Sequence, residues 1–287
     1  MAEKDITTWE EFKKALTESI TEDTTYNIKN DLDASNDILT NNIECITSQK
    51  NKIFKGNGYK INAITAYGDV TVFNTDQNSD YTYRFYDIKF TNFMVESGTF
   101  TNLCRNSYYA DFEEYSNLFL NCFFNGVCRK FSAFITSSRI AYFNKCSFNV
   151  RCESFSDYRS TFDSCYIITT PLQNINSFSK DSTIVNSYVE GVIKNTFSSR
   201  SYITPKFSGN NVFNCKVIIT NYDDSTTYET SYSDAAVLVN KSKLLQSDGI
   251  TPISHVTALN SNIYFLTDEQ MKNKEYIQQN TKFPLYG

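Results

Sequence analysis

The chain has a single histidine, a single tryptophan, nine glycines and four prolines among 287 residues. One histidine, His255, leaves no imidazole set for a zinc site. Nor does it give a nearby base for activating a thiol. Basic residues are also short: 27 Lys and Arg face 32 Asp and Glu, for a net charge of −5. A protein that grips phosphates needs a concentrated basic surface, so nucleic acid is excluded as a partner. No stretch approaches the roughly 18 apolar residues of a membrane span, which argues against membrane insertion. The opening Met1-Ala2-Glu3-Lys4-Asp5 lacks the apolar core of a secretory signal and leads into a polar helix pattern, so synthesis and folding in a cytoplasm are expected.

What the chain has in quantity is Phe and Tyr, 23 and 20 residues, within an aromatic share of 15%. These residues favour strands, and the abundant Asn, Ser and Thr suit the turns between them. Eight cysteines stand at 45, 104, 122, 128, 146, 152, 165 and 215. In a reducing compartment they are expected to be free thiols serving as small apolar side chains.

An internal repeat is the strongest signal. The segment from Cys122 to Phe134 aligns with Cys146 to Tyr158 at a shift of 24, keeping both cysteines, a Phe-Asn pair and a Phe-Ser pair. One ladder reads Cys122, Cys146, Cys165, Ser187, Cys215, with Asn121, Asn144, Asp163, Asn186 and Asn214 just before its rungs. A second reads Phe131-Ser132, Phe155-Ser156, Phe178-Ser179, Phe197-Ser198. Upstream, Ile88 and Cys104 extend the first ladder in shorter steps of 16 and 18. Two ladders in step require at least two strands at fixed places in each repeat. Stacked coils of 19–28 residues satisfy this, with like residues about 4.8 Å apart and inward Cys, Phe and Ile in continuous files. Around the turn near Asn144, one parity of the strand carries Tyr142, Asn144, Cys146 and Phe148. Leucine-rich repeats would need a leucine frame that is absent, and a β-sandwich gives no reason for ladders in phase.

The predicted fold is all-β: a single-stranded right-handed parallel β-helix with short capping helices at both ends. Residues 1–25 form the first cap, 26–262 the β-helix and 263–287 a helical cap or tail. Thr8-Trp9-Glu10-Glu11 is a capping box that opens an amphipathic helix with Trp9, Phe12, Leu16 and Ile20 on one face. Thr267 with Gln270 forms another, with Leu266 and Met271 placed as a hydrophobic staple. Gly56 and Gly58 mark a tight corner, and Tyr222 to Ser233 reads as a loop.

With these features in view, the chain resembles the β-helix superfamily named after pectate lyases, and more narrowly the β-helical proteins of bacteriophage virions and some bacterial adhesins. The likeness rests on Trp9-Glu10-Glu11-Phe12 through Asp31-Leu32-Asp33 and on Leu266 through Asn273 with Phe283-Pro284. It implies a virion component such as a tail or head fibre, homo-oligomeric and often trimeric, assembled with other virion proteins and meeting host surface polysaccharide.

The rival is a polysaccharide depolymerase, which needs acids on adjacent coils. The adjacent pair Asp223-Asp224 has no matching histidine coil, and Glu153, Asp157 and Asp163 with Arg151 and Arg159 read as charged turns. No residue is therefore assigned as catalytic, cofactor-binding or metal-binding, and no cofactor is expected. Binding through exposed aromatics is the favoured function, with Tyr108-Tyr109, Tyr81 through Tyr86 and Tyr228 through Tyr232 as candidates.

Overall fold

A computed structural model describes residues 1–46, 50–75, 83–103, 105–106, 118–132, 139–156, 160–172, 182–194, 206–219, 227–228, 236–253, 256–258 and 262–284. Among these, nearly every strand pairing is parallel; the pairing of Arg105–Asn106 with Arg139–Ile140 is an exception. The chain is a parallel β-helix with helices at both ends.

Each coil is built the same way. A short strand of the first sheet carries one inward aromatic, such as Phe85 in Tyr83–Tyr86 or Phe143 in Arg139–Asn144. One residue in the left-handed region then turns the corner: Asp87, Asn121, Lys145, Ser164, Asn186 and Gly209 have φ between 46° and 60°. Gly, Asn and Asp tolerate this region best, which explains Asp87, Asn121, Asn186 and Gly209. A longer strand of the second sheet follows, as in Lys89–Thr101, Phe123–Ser132 and Ser147–Ser156.

Three aromatic files fill the interior. Tyr26, Phe54, Phe85, Phe119, Phe143 and Phe162 stack face to face with centroids 4.8–5.1 Å apart. Phe90, Phe124 and Phe148 form a second file, and Phe100, Phe131 and Phe155 a third. The files meet edge to face, as in Phe143 against Phe148 at 5.5 Å and 77°, so ring edges meet ring faces across the core.

The expected Cys file is real for four rungs: Ser147 and Tyr166 donate to the Cys122 and Cys146 carbonyls, and Tyr188 to that of Cys165, which places Ser187 next. Its fifth member is corrected. Asn211, fully buried, stands above Ser187 and accepts from its amide through Oδ1 at 3.0 Å. Cys215 lies further along its coil, beside Lys216 in register with Val192. The extra residue Asn210 at that corner shifts the count.

Coil length is corrected too. Register partners Lys52 and Tyr83, and Phe85 and Phe119, put 31 and 34 residues in early coils, beyond the expected range; Phe143 to Phe162 spans 19. Ile88 and Cys122 are therefore neighbouring rungs of one 34-residue coil; Cys104 lies outside the described residues. Most of the difference in length falls in the connection from the second sheet back to the first, with smaller additions at the corner, as at Asn210, and within the second-sheet strand Lys89–Thr101.

The strand parity expected around Asn144 also changes. Phe143 faces inward and Tyr142 outward, because left-handed Lys145 resets the alternation before Cys146 and Phe148. Phe178-Ser179 and Phe197-Ser198 lie outside the described residues. All seven described cysteines are free and buried.

The first cap begins before its helix. Ala2–Ile6, in the segment ahead of the expected helix, is a strand paired with Thr24–Ile28. Helix α1, Trp9–Thr17, has the expected reciprocal capping box and buries Trp9, Phe12, Ala15 and Leu16 over the first coil; Ile20 falls beyond its end. Phe12 meets Phe54 edge-on at 5.2 Å. Lys52 Nζ, 2% exposed, donates to the carbonyls of Ala15, Leu16 and Glu18, which α1 itself leaves unpaired.

At the other end, Ile263–Leu266 is the last rung, followed by α2, Asp268–Lys272, with its capping box, and α3, Lys274–Asn280. These helices do not simply cover the open end. Ile277 and Met271 pack on Leu238, Val212 and Tyr264, whose side chains point out of the coil. Within the expected loop, Thr227–Tyr228 is a strand paired with Thr257–Ala258.

Candidate functional site

Outward residues of the second sheet stand on a grid fixed by the register. The first file runs Lys89, Phe123, Ser147, Tyr166, Tyr188, Val212, Leu238. The second runs Thr91, Asn125, Asn149, Ile168, Glu190, and the hydrogen bond between Asn214 and Asn240 carries it on. The third begins Met94, Val127, Arg151, Thr170 and resumes at Val192 and Lys216.

The strands bend between the second and third files, making the surface concave. Gly126 sits at the bend because a Cβ there would lie 2.4 Å from the Phe93 carbonyl oxygen. Gly191, at φ 93°, would bring one 2.2 Å from the Thr169 oxygen. The result is a trough along the helix axis, made of two hollows that abut on the strand Tyr166–Pro171. One of about 370 Å3 is lined by Asn92, Met94, Asn125, Asn149, Arg151 and Thr170. The other, about 440 Å3, is lined by Ile168, Glu190, Asn214, Lys216, Ser242 and Lys243. Seven rungs border it, six steps of about 4.8 Å or roughly 29 Å.

Beside these hollows, on the first file, stands a fixed aromatic pair. Tyr166 and Tyr188 stack with centroids 5.3 Å apart and planes 15° apart, and Tyr166 is 42% exposed. Tyr166 Oη donates to Glu190 Oε2 at 2.7 Å, which holds its phenol above the ordinary range. Asn214 Nδ2 donates to Tyr188 Oη at 2.9 Å. Both rings are thus clamped by floor residues. The opposite wall holds Arg151, exposed, and three rungs on Lys216, roughly 14 Å away.

The residues singled out in sequence fare differently. Glu153 pairs with Arg129 at 3.3 Å, while Asp163, on the other sheet, accepts from Tyr142 Oη at 2.9 Å, so the two are not brought together. Asp157, Arg159, Asp223, Asp224 and His255 lie outside the described residues. Of the tyrosine runs, Tyr83 is buried and donates to the Leu16 and Ile46 carbonyls, which removes it as a surface contact. Tyr86 is half-buried, the side chain of Tyr228 is not described, and Tyr81, Tyr108, Tyr109 and Tyr232 lie outside. Tyr166 and Tyr188 went unnoticed in sequence, although they directly follow Cys165 and Ser187 of the Cys file. Among the described residues, no group of three His, Cys, Asp or Glu is placed to hold a metal, and Glu190 is the one carboxylate lining the trough.

The family model described as a putative pectate lyase-like adhesive domain matches residues 3–118. That segment covers α1 and the first coils and reaches the trough only at Asn92 and Met94. No curated protein and no solved structure gives a match. The fold is that of a β-helix protein, and its residues 3–118 are similar to that family.

Proposed function

We propose that this protein is a non-enzymatic attachment module that lays a carbohydrate chain along the trough. The observation that carries the reading is the clamped Tyr166–Tyr188 pair beside a floor of amides. Aromatic faces suit the apolar faces of sugar rings, and Asn125, Asn149 and Asn214 offer both donors and acceptors to hydroxyls. A ligand pressed on these rings meets no ordering cost in the protein, since both phenols are already tied. The adhesive description of the matching family supports the same reading. We place the module on the outside of a phage particle, as a fibre-like and trimeric component; mass spectrometry of purified particles with surface labelling tests that setting.

The binding test uses the whole purified chain. Isothermal titration against bacterial capsular and cell-wall polysaccharides should show binding, weakened about three- to tenfold by Tyr166→Ala, the size of a lost aromatic contact of roughly 0.5–1.5 kcal/mol. New reducing ends or unsaturated uronates released by the wild type, and abolished by Glu190→Gln, would make it a depolymerase instead.

A further inference from the structure

We infer that the trough is closed at its carboxy-terminal end, so that it receives the terminus of a carbohydrate chain and not its interior. This rests on the trough being a carbohydrate site and concerns which part of the polymer enters.

The wall comes from a change in how the last coils round the bend. In the coil of Tyr188–Lys194 the bend is Gly191 alone. In the coil of Ala236–Asn240 the chain makes a 3-10 turn, Lys241–Lys243, before re-entering the sheet at Leu244–Leu245. The register of Val239 with Phe213 and of Leu244 with Val217 gives this coil one residue more than its neighbour, so Lys241 and Ser242 stand where one residue stood before and fill the concavity at that level. The turn is held from both sides. Lys243 Nζ reaches back one rung and donates to the Asn214 carbonyl at 3.0 Å and its Oδ1 at 2.9 Å, crossing the floor file. Behind it, the amide of Asp268 at the start of α2 donates to Ser242 Oγ, and Asn240 Nδ2 bonds both Asn214 Oδ1 and Asp268 Oδ1. The first file is blocked at the same level, where Leu238 lies under α3. A chain running up the trough past Arg151 and the tyrosines therefore meets a built, hydrogen-bonded end. The chemistry at that end is mixed, with the Glu190 carboxylate and the Lys216 and Lys243 ammonium groups lining one hollow. This suits the several free hydroxyls of a terminal sugar.

The discriminating measurement varies the number of ends at constant mass. A polysaccharide that binds in the titration above is partially depolymerised tenfold in mean length, and protein bound per gram of glycan is compared before and after. End recognition predicts about tenfold more protein bound at saturation, and a Lys243→Ala variant that loses affinity for the short chains at least fivefold while unfolding at the wild-type temperature within a few degrees. Equal capacity per gram, with Tyr166→Ala still weakening binding, would overturn the closed end and leave the carbohydrate trough standing. Failure of every polymer and fragment to bind would overturn both.

Discussion

The ammonium of Lys52 lies 2.9 Å from the carbonyl oxygen of Leu16, so a side chain of the second coil closes the last turn of the cap helix. Burial pushes the Lys52 pKa down to about 8, below the ordinary 10.5. A base whose folded pKa is lower than its unfolded one binds fewer protons when folded, so its contribution to stability rises as pH climbs from about 8 toward 10.5. Tyr26 and Tyr83, with phenols raised by burial, oppose this only where unfolded tyrosine ionises, near pH 10. The buried thiols of Cys45, Cys122, Cys128, Cys146 and Cys215, raised by burial, lower stability over the same range in both proteins, so the expected effect is a difference: between pH 8 and 9.5 the wild type should gain on the order of 2 kcal/mol relative to Lys52→Met. Denaturant titrations of both proteins at the two pH values measure it; parallel changes in both would show that Lys52 does not titrate there.

Phe148 belongs to the second aromatic file and touches the other two, stacked on Phe124 at 5.1 Å and edge-on to Phe131, Phe143, Phe155 and Phe162. Removing its ring leaves a cavity between fixed neighbours. Phe148→Ala should cost about 3–5 kcal/mol and Phe148→Leu roughly half that or less. Chemical denaturation gives both values. A loss no larger than the roughly 0.5 kcal/mol of a surface change would mean that the ring is not in the core.

Much of this core was readable in the sequence and some was not. Cys122, Cys146, Cys165 and Ser187 show themselves because the corner before each is one left-handed residue, and both capping boxes depend on local spacing alone. The longest aromatic file, Tyr26 through Phe162, escapes a search for a period because each step contains the connection whose length changes, from 34 residues to 19. Asn211 was missed because a buried amide, satisfied by the Ser187 backbone, replaces a thiol where an extra residue intervenes. The trough is harder still. Alternation shows that Tyr166, Ile168 and Thr170 share a face, but concavity depends on the bend. That bend takes glycine at Gly126 and Gly191 and larger residues at Val150 and Thr169 between them.

The thiols give a direct test of burial. Cys128 and Cys152 are register partners, and burial raises the Cys122, Cys128 and Cys146 thiols well above the ordinary value. The thiolate is the reacting species, so suppressed ionisation and lack of access act together. Iodoacetamide at pH 8 should label Cys45, Cys122, Cys128, Cys146, Cys152, Cys165 and Cys215 at least 100-fold more slowly in the folded protein than in guanidinium, followed by peptide mass spectrometry. Rapid labelling of Cys128 in the native state would place it outside the core.

Gly126 links the fold to the trough. It pairs with Val150 on one side and Phe93 on the other, and a Cβ would come within 2.5 Å of the Phe93 ring as well as 2.4 Å of its oxygen. Phe93 is buried against Phe100 at 4.4 Å and has no room to retreat. Gly126→Ala must therefore push two rungs apart under the trough floor, at an expected cost of about 1–3 kcal/mol. Gly68→Ala is the control: φ there is 78°, but the added methyl meets open space, so only the left-handed strain of roughly 1–2 kcal/mol applies. Carbohydrate affinity separates the two. It should fall severalfold in Gly126→Ala, because Asn125 and Val127 move with the strand, and stay at the wild-type value in Gly68→Ala. Equal affinity in both variants, at matched fractions folded, would detach the bend at Gly126 from binding.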